Sequence, residues 1–141
     1  MRLLEVPPRS PLWQHAAPVL RELRTMRSLE ELERIGSDGA HQGLRFLGAF
    51  GDDDECLGVA GWRIVINTSA ANKLYVDDLV TTASQRSTGV GRALLDELKT
   101  IGRAAGCSSI ELDSGVTRYR AHRFYLREGF DIVAHHFSAA L

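Results

Sequence analysis

Leu74, Tyr75, Val76, Leu79 and Val80 are β-formers interrupted only by the adjacent carboxylates Asp77 and Asp78, a pattern that predicts a strand. Downstream, Val90, Leu94, Leu98, Ile101 and Ala105 recur at steps of four, four, three and four, which predicts one face of a helix. Between them lies a small polar loop, Thr81 to Gln85, and then Arg86-Ser87-Thr88-Gly89-Val90-Gly91.

The same patterning divides the rest of the chain. Residues 2–6 predict a first strand stopped by Pro7-Pro8. Ser10-Pro11 reads as an N-cap with proline at the first helical position, opening a helix through Arg24. Ser28 with Glu31 three residues later is a capping box for a second helix, expected to stop at Gly36. Leu44 to Phe50 and Leu57 to Ile66 predict a hairpin around the acidic turn 51–55. After the helix beginning near Val90, Gly106 is placed as a C′ residue, and Ile110 to Asp113 predicts a short strand of undecided direction. A last helix, Arg118 to Glu128, is expected to end at Gly129, and Phe130 to Phe137 to complete the sheet. The order β, two helices, hairpin, β-α-β, α, β predicts an α/β fold in a single domain, a mixed sheet with helices on both faces.

Composition narrows the functional classes. The chain has 141 residues, 44% hydrophobic and 25% charged, as in an ordinary globular domain. A formal net charge of −1 gives no general pull toward nucleic acid or anionic membrane. No apolar run approaches the ~20 residues of a membrane span. The first eight residues are too short and interrupted for a signal peptide, so a cytoplasmic protein is expected. Cys56 and Cys107 lack ligand-like spacing and read as reduced thiols. His135 and His136 are neighbours on an expected strand and cannot face one metal from one side, so no metal is assigned.

A strand, a glycine-bearing loop and a helix start together make an anion site, where free backbone N–H groups and the helix dipole favour negative charge. Spacing separates the possible families. No Gly-Lys pair exists for a nucleotide P-loop, and the third position of a dinucleotide fingerprint is Leu94. The pattern Arg86-x-x-Gly89-x-Gly91 instead resembles the acyl-CoA pyrophosphate loop of the GNAT superfamily of N-acetyltransferases. A second stretch, Ala121-His122-Arg123-Phe124-Tyr125-Leu126-Arg127-Glu128-Gly129-Phe130, resembles that superfamily's A-x-x-x-Y-x-x-x-G-F signature. The resemblance is specific from Leu74 to Phe130 and rests on element order before that. One departure is the Ser114-Gly115-Val116-Thr117 stretch, where many relatives carry an asparagine.

The resemblance implies a GNAT fold and transfer of an acetyl group from acetyl-CoA directly to an amine. It implies that Arg86, Ser87, Thr88, Gly89, Val90, Gly91 and Arg92 hold the pyrophosphate, while the backbone of Leu79, Val80 and Thr81 binds the pantetheine arm like an added strand. An N–H there would polarise the thioester carbonyl. Tyr125 is the implied general acid, since a phenol of pKa ~10 can protonate a thiolate of pKa ~8.5. Strand alternation puts Asp77 and Asp78 on opposite faces, with Asp77 beside Tyr75 and Leu79 on the less apolar one. Asp77 would accept the amine's proton, directly or through water, or only hold a cationic acceptor. Pairing with a nearby arginine is the alternative. Asp77, Asp78, Glu111 and Asp113 suit a small cationic amine or a lysine side chain. Neither cysteine lies in the motif stretches, so no acyl-enzyme is expected. The apolar Phe130–Phe137 strand leads to the expectation of a homodimer. The rival readings are a non-catalytic acyl-CoA-binding module and, further off, a nucleotide-binding α/β protein.

Overall fold

A computed structural model describes all residues, 1–141. The elements are β1 (Arg2–Glu5), α1 (Trp13–Leu23), α2 (Leu29–Ala40), β2 (Arg45–Phe50), β3 (Cys56–Val65), β4 (Lys73–Thr81), α3 (Val90–Ala104), β5 (Ser109–Leu112) and α4 (Tyr119–Arg127). Two compact units divide the chain, residues 1–111 and 112–141. The strands form one sheet in the order β1-β2-β3-β4-β5, with β1 to β4 antiparallel in succession. Ser108 N donates to Asn72 O at 2.8 Å, so β5 starts beside the start of β4 and runs in the same direction. The sheet is therefore mixed, as expected from the β-α-β order.

The first unit buries apolar side chains on both faces of the sheet. Trp13, Ala16, Leu20 and Leu32 of α1 and α2 pack with Phe46, Phe50 and Val59 on one face. Leu94, Leu95 and Leu98 of α3, each 0% exposed, form the core of the other. The periodicity from Val90 is thus a buried helix face.

Helix ends follow local chemistry in most places. Ser28 Oγ accepts from Glu31 N at 3.1 Å, and Glu31 Oε2 accepts from Ser28 N at 2.8 Å, which is the complete capping box. That reciprocal bond also holds the Glu31 carboxyl below its usual pKa, chiefly through the Ser28 backbone N–H. Gly106, at φ 74°, ends α3, with Cys107 N donating to Gly102 O at 2.9 Å.

Three expectations are corrected. Ser10 does not cap α1: the helix begins at Trp13 and its N-cap, Leu12, makes no side-chain bond. Ser10 instead supplies its carbonyl to Trp13 N in the preceding turn. Gly36 does not stop α2, which continues to Ala40. A Cβ at Gly36 would stand 3.0 Å from Pro8 Cγ and 3.2 Å from Trp13 Cη2, so this glycine serves close packing. Finally, residues 130–141 form neither helix nor strand, and 131–141 are exposed. A strand needs a neighbouring ladder to claim its N–H and C=O groups, and the Phe130–Phe137 segment has none.

Candidate active site

The loop before α3 is built by backbone conformation. Ala83–Gln85 make one 3₁₀ turn, and Thr88 Oγ1 donates to Gln85 O at 2.7 Å, closing the loop on itself. Ser87 and then Gly89 take left-handed φ values, 67° and 95°, and Gly89 is the N-cap of α3. Glycine meets that value without strain. The first N–H groups of α3, those of Val90 and Gly91 among them, have no intrahelical acceptor and carry the positive end of the helix dipole. Arg86, Ser87, Thr88, Gly89 and Arg92 are exposed around this helix start. That is a cradle suited to a pyrophosphate.

Leu79, Val80 and Thr81 form the last turn of β4's ladder with β3, opposite Ala60, Val59 and Gly58. β5 is only four residues long and starts level with the start of β4, so it ends short of them. Their backbone on the β5 side therefore has no ladder partner in β5.

Between the start of β4 and this edge the register slips. Gly61 faces Asp78 and Trp62 faces Val76, which leaves Asp77 as an extra residue in a β-bulge. The bulge reverses the inward–outward phase of β4. Before it, Leu74 lies 3.5 Å from the Cβ position of Gly102, on the α3 side. After it, Val80 packs against the α1–α2 core, and Asp78 meets Arg24 from the end of α1. The expectation that Asp77 and Asp78 occupy opposite faces is therefore corrected. Arg63 Nε and Nη2 reach Asp77 Oδ2 and Oδ1 at 2.9 and 3.0 Å. Asp78 Oδ1 accepts from Arg24 Nε at 2.7 Å, and Arg24 Nη2 donates to the Asp77 carbonyl at 3.0 Å. Both carboxylates stand on the α1 side in a network of two acids and two arginines.

Burial pushes the Asp78 carboxyl above its usual range, with Arg24 working against that shift. Tyr75 lies beside the network, with Lys73 Nζ 5.9 Å from its ring centroid. Lys73 also pairs with Glu111 at 2.5 Å. The sequence-based reading missed Arg24, Arg63 and Gly61. Arg63 was within reach once β3 and β4 were set in register, because it faces Tyr75 and so lies diagonal to Asp77. Arg24 is 54 residues from Asp78, and no local pattern connects them.

In the second unit, α4 carries Tyr125, whose ring lies 5.4 Å from that of Phe124 and 5.8 Å from that of Phe130. Gly129 takes φ 86°, and Phe130 N donates to Tyr125 O at 3.0 Å. The Tyr-x-x-x-Gly-Phe spacing thus folds into a helix end whose phenylalanine packs on the tyrosine. Burial raises the Tyr125 pKa above that of an ordinary tyrosine, while Arg118 opposes the rise. Asp113 pairs with His136 Nδ1 at 3.2 Å, and His122 Nε2 lies 2.7 Å from Gly115 O. No group of three or more His, Cys, Asp or Glu side chains converges anywhere in the chain. No helix is long and apolar enough to cross a membrane.

Residues 9–130 match the model of the acetyltransferase (GNAT) family. The chain is 33% identical over 127 residues to the uncharacterized N-acetyltransferase YhdJ of Bacillus subtilis, covering 89% of each. It is 36% identical over 88 residues to the aminoalkylphosphonate N-acetyltransferase of Salmonella typhimurium, covering 62% of this chain and 57% of that one. Its fold is similar to an aminoglycoside N-acetyltransferase solved in complex with CoA, with TM-score 0.86 at 14% identity over 99% of this chain and 93% of the other. The glycine-bearing loop at the start of α3 and the tyrosine-bearing helix end accompany a family match across most of the sequence, and the chain belongs to the GNAT family of acetyl-CoA-dependent N-acetyltransferases.

Proposed function

We propose that residues 1–141 act as one catalytic domain, moving an acetyl group from acetyl-CoA directly to the amine of a small molecule or a lysine side chain. The observation that carries this reading is Gly89, held at φ 95° as the N-cap of α3 immediately after the Arg86–Thr88 loop. Arg86, Ser87, Thr88, Gly89, Val90, Gly91 and Arg92 hold the pyrophosphate, Leu79 to Thr81 receive the pantetheine arm, and Tyr125 protonates the departing thiolate. The carboxylates of Asp77 and Asp78, with Tyr75 beside them, take up the amine.

Direct transfer is favoured by the state of the cysteines. Burial pushes the Cys56 thiol up to about 11, so it carries almost no thiolate at neutral pH. Both cysteines are unpaired, which suits a cytoplasmic setting where acetyl-CoA is at hand. The acceptors named for relatives, aminoalkylphosphonates and aminoglycosides, are both small amines. Here Asp77, Asp78, Glu111 and Asp113 each already hold a basic side chain, so a cationic acceptor would have to compete for them.

Thermal shift against acetyl-CoA, CoA, NAD and ATP tests the cofactor class. Acetyl-CoA and CoA are expected to raise Tm in proportion to ln(1 + [L]/Kd). A rise with NAD or ATP and none with CoA would overturn the assignment.

The chain is also proposed to pair as a homodimer. Ile132, Val133 and Phe137 are 77%, 83% and 91% exposed in a segment that retains a strand-like sequence. Covering them against a second copy would remove that apolar surface from water. Light scattering at micromolar concentration is expected to give twice the chain mass of 15.6 kDa, and a monomer mass would end the idea.

A further inference from the structure

No side chain caps the start of α3: its N-cap is Gly89, and no side-chain cap bond is made there. The first N–H groups of the helix are left open by that, so something other than a cap must hold the helix start in place. Val90, the first residue of α3, is 4% exposed, and Leu94, one turn on, is fully buried. Both meet Gly58 of β3. A Cβ at Gly58 would stand 2.8 Å from Val90 Cγ1, 3.2 Å from Leu94 Cδ1 and 2.9 Å from the Val80 carbonyl oxygen. A glycine inside a strand often marks such a close approach.

The same stretch of β3 holds the other end of the loop. Gly58 pairs with Thr81 across the β3–β4 ladder, and the carbonyl of Leu57 accepts from Thr82 N at 3.0 Å. The loop from Thr82 to Gly89 therefore departs from and returns to two consecutive residues of one strand. The departure is a backbone hydrogen bond, which any residue at position 57 could supply. The return is a packing contact, which needs position 58 to carry no side chain.

We infer that Gly58 is a positioning residue for acetyl-CoA: by letting Val90 seat on β3, it fixes the open N–H groups of α3 relative to the backbone of Leu79 to Thr81. The inference rests on the reading of the Gly89 loop as the pyrophosphate cradle and deepens it. Gly58 acts through its neighbours, Val90 and Val80. A methyl group at position 58 finds little that can yield. Val90 is β-branched and held to one χ1 rotamer in a helix, and the Val80 oxygen belongs to the β4 backbone. Relief must come from moving the start of α3 or the end of β4, because a close-packed interior passes strain on. Either movement changes the spacing between the groups that take the pyrophosphate and those that take the pantetheine arm.

Equilibrium titration with acetyl-CoA and steady-state kinetics with an accepted amine test this on the full chain. Gly58→Ala should raise Kd and KM for acetyl-CoA by ~10-fold or more, while the amine KM and kcat at saturating acetyl-CoA change much less. Gly48→Ala is the control for overpacking alone. A Cβ at Gly48 would stand 2.5 Å from Phe50 Cε2 and 2.9 Å from Val6 Cγ2, in the core on the α1–α2 face of the sheet. That variant should lower Tm yet keep the wild-type affinity for acetyl-CoA. Val90→Ala removes the carbon that a methyl at position 58 would strike. Gly58→Ala/Val90→Ala should therefore bind acetyl-CoA more tightly than Gly58→Ala, although each change alone disturbs packing. It should still bind more weakly than Val90→Ala, because the Val80 oxygen remains 2.9 Å away. That second comparison carries the test if Gly58→Ala alone does not fold.

Wild-type acetyl-CoA affinity in Gly58→Ala, equal affinity in Gly58→Ala/Val90→Ala and Val90→Ala, or an equal loss in Gly48→Ala would overturn the inference while the proposed function stands. Retention of full acetyl-CoA binding by Gly89→Val would remove the cradle reading and the inference with it.

Discussion

Tyr125→Phe is expected to lower kcat by ~10²-fold or more while leaving acetyl-CoA affinity near that of the wild type, because one hydroxyl is lost and nothing else on α4 changes. The ring keeps its contacts with Phe124 and Phe130, so the helix end should survive. The pH profile is the sharper readout. Burial raises the Tyr125 pKa, so the phenol stays protonated across the neutral range and is available as an acid. Activity that depends on it is present below that raised pKa and is lost as pH rises through it. The basic limb should therefore lie above the ordinary tyrosine range in the wild type and vanish in the variant. The same shift weakens the phenol as an acid, so transfer to a thiolate of pKa ~8.5 runs further uphill than an unperturbed tyrosine would require. Near-native turnover in Tyr125→Phe would return the tyrosine to packing and leave the proton to water or another group.

Gly89→Val is expected to abolish the stabilisation that acetyl-CoA confers on the wild type. At a ligand concentration of a hundred Kd that stabilisation is about 2.7 kcal/mol, enough to move Tm by several degrees. Valine cannot keep φ 95° without strain of about 1–3 kcal/mol, so the loop should relax and turn its N–H groups away. A Cβ at this position meets nothing within 4 Å, so no clash with the rest of the protein accompanies the change. The variant should therefore remain folded at room temperature, within an ordinary domain stability of about 5–15 kcal/mol. Gly89→Ala separates the causes, since it imposes the backbone strain with the least bulk. A full acetyl-CoA shift in Gly89→Val would mean that the cofactor does not use this helix start.

What the sequence made legible was what is local. The α3 periodicity, the Ser28–Glu31 capping box and the glycine ends at Gly106 and Gly129 each depend on residues within a turn of one another, and each is found in the structure. The strand, loop and helix start around Gly89 were legible for the same reason, because they follow one another without interruption. The acidic pair on β4 was legible as a pair but not in its orientation. A bulge depends on how β3 registers against β4, and nothing in Asp77-Asp78 itself says which strand carries the extra residue. Arg24 and Gly61 were out of reach because their places beside Asp78 come from tertiary packing. Gly36 misled for a related reason: glycine often ends a helix, yet here it lets Pro8, Trp13 and Phe46 come close. The Phe130–Phe137 pattern has the composition of a strand, but composition only permits pairing and a neighbour must supply the ladder.

The most direct test of the account is amine-dependent release of thiol from acetyl-CoA by the full chain. The panel would comprise polyamines, amino acids, aminoalkylphosphonates, aminoglycosides and lysine peptides, with the acetylated product identified by mass. At least one primary amine is expected to give saturable release, with one acetylated amine formed for each CoA freed. Saturable binding of acetyl-CoA without thiol release for any amine would contradict it, and would leave the protein as a non-catalytic acyl-CoA-binding module.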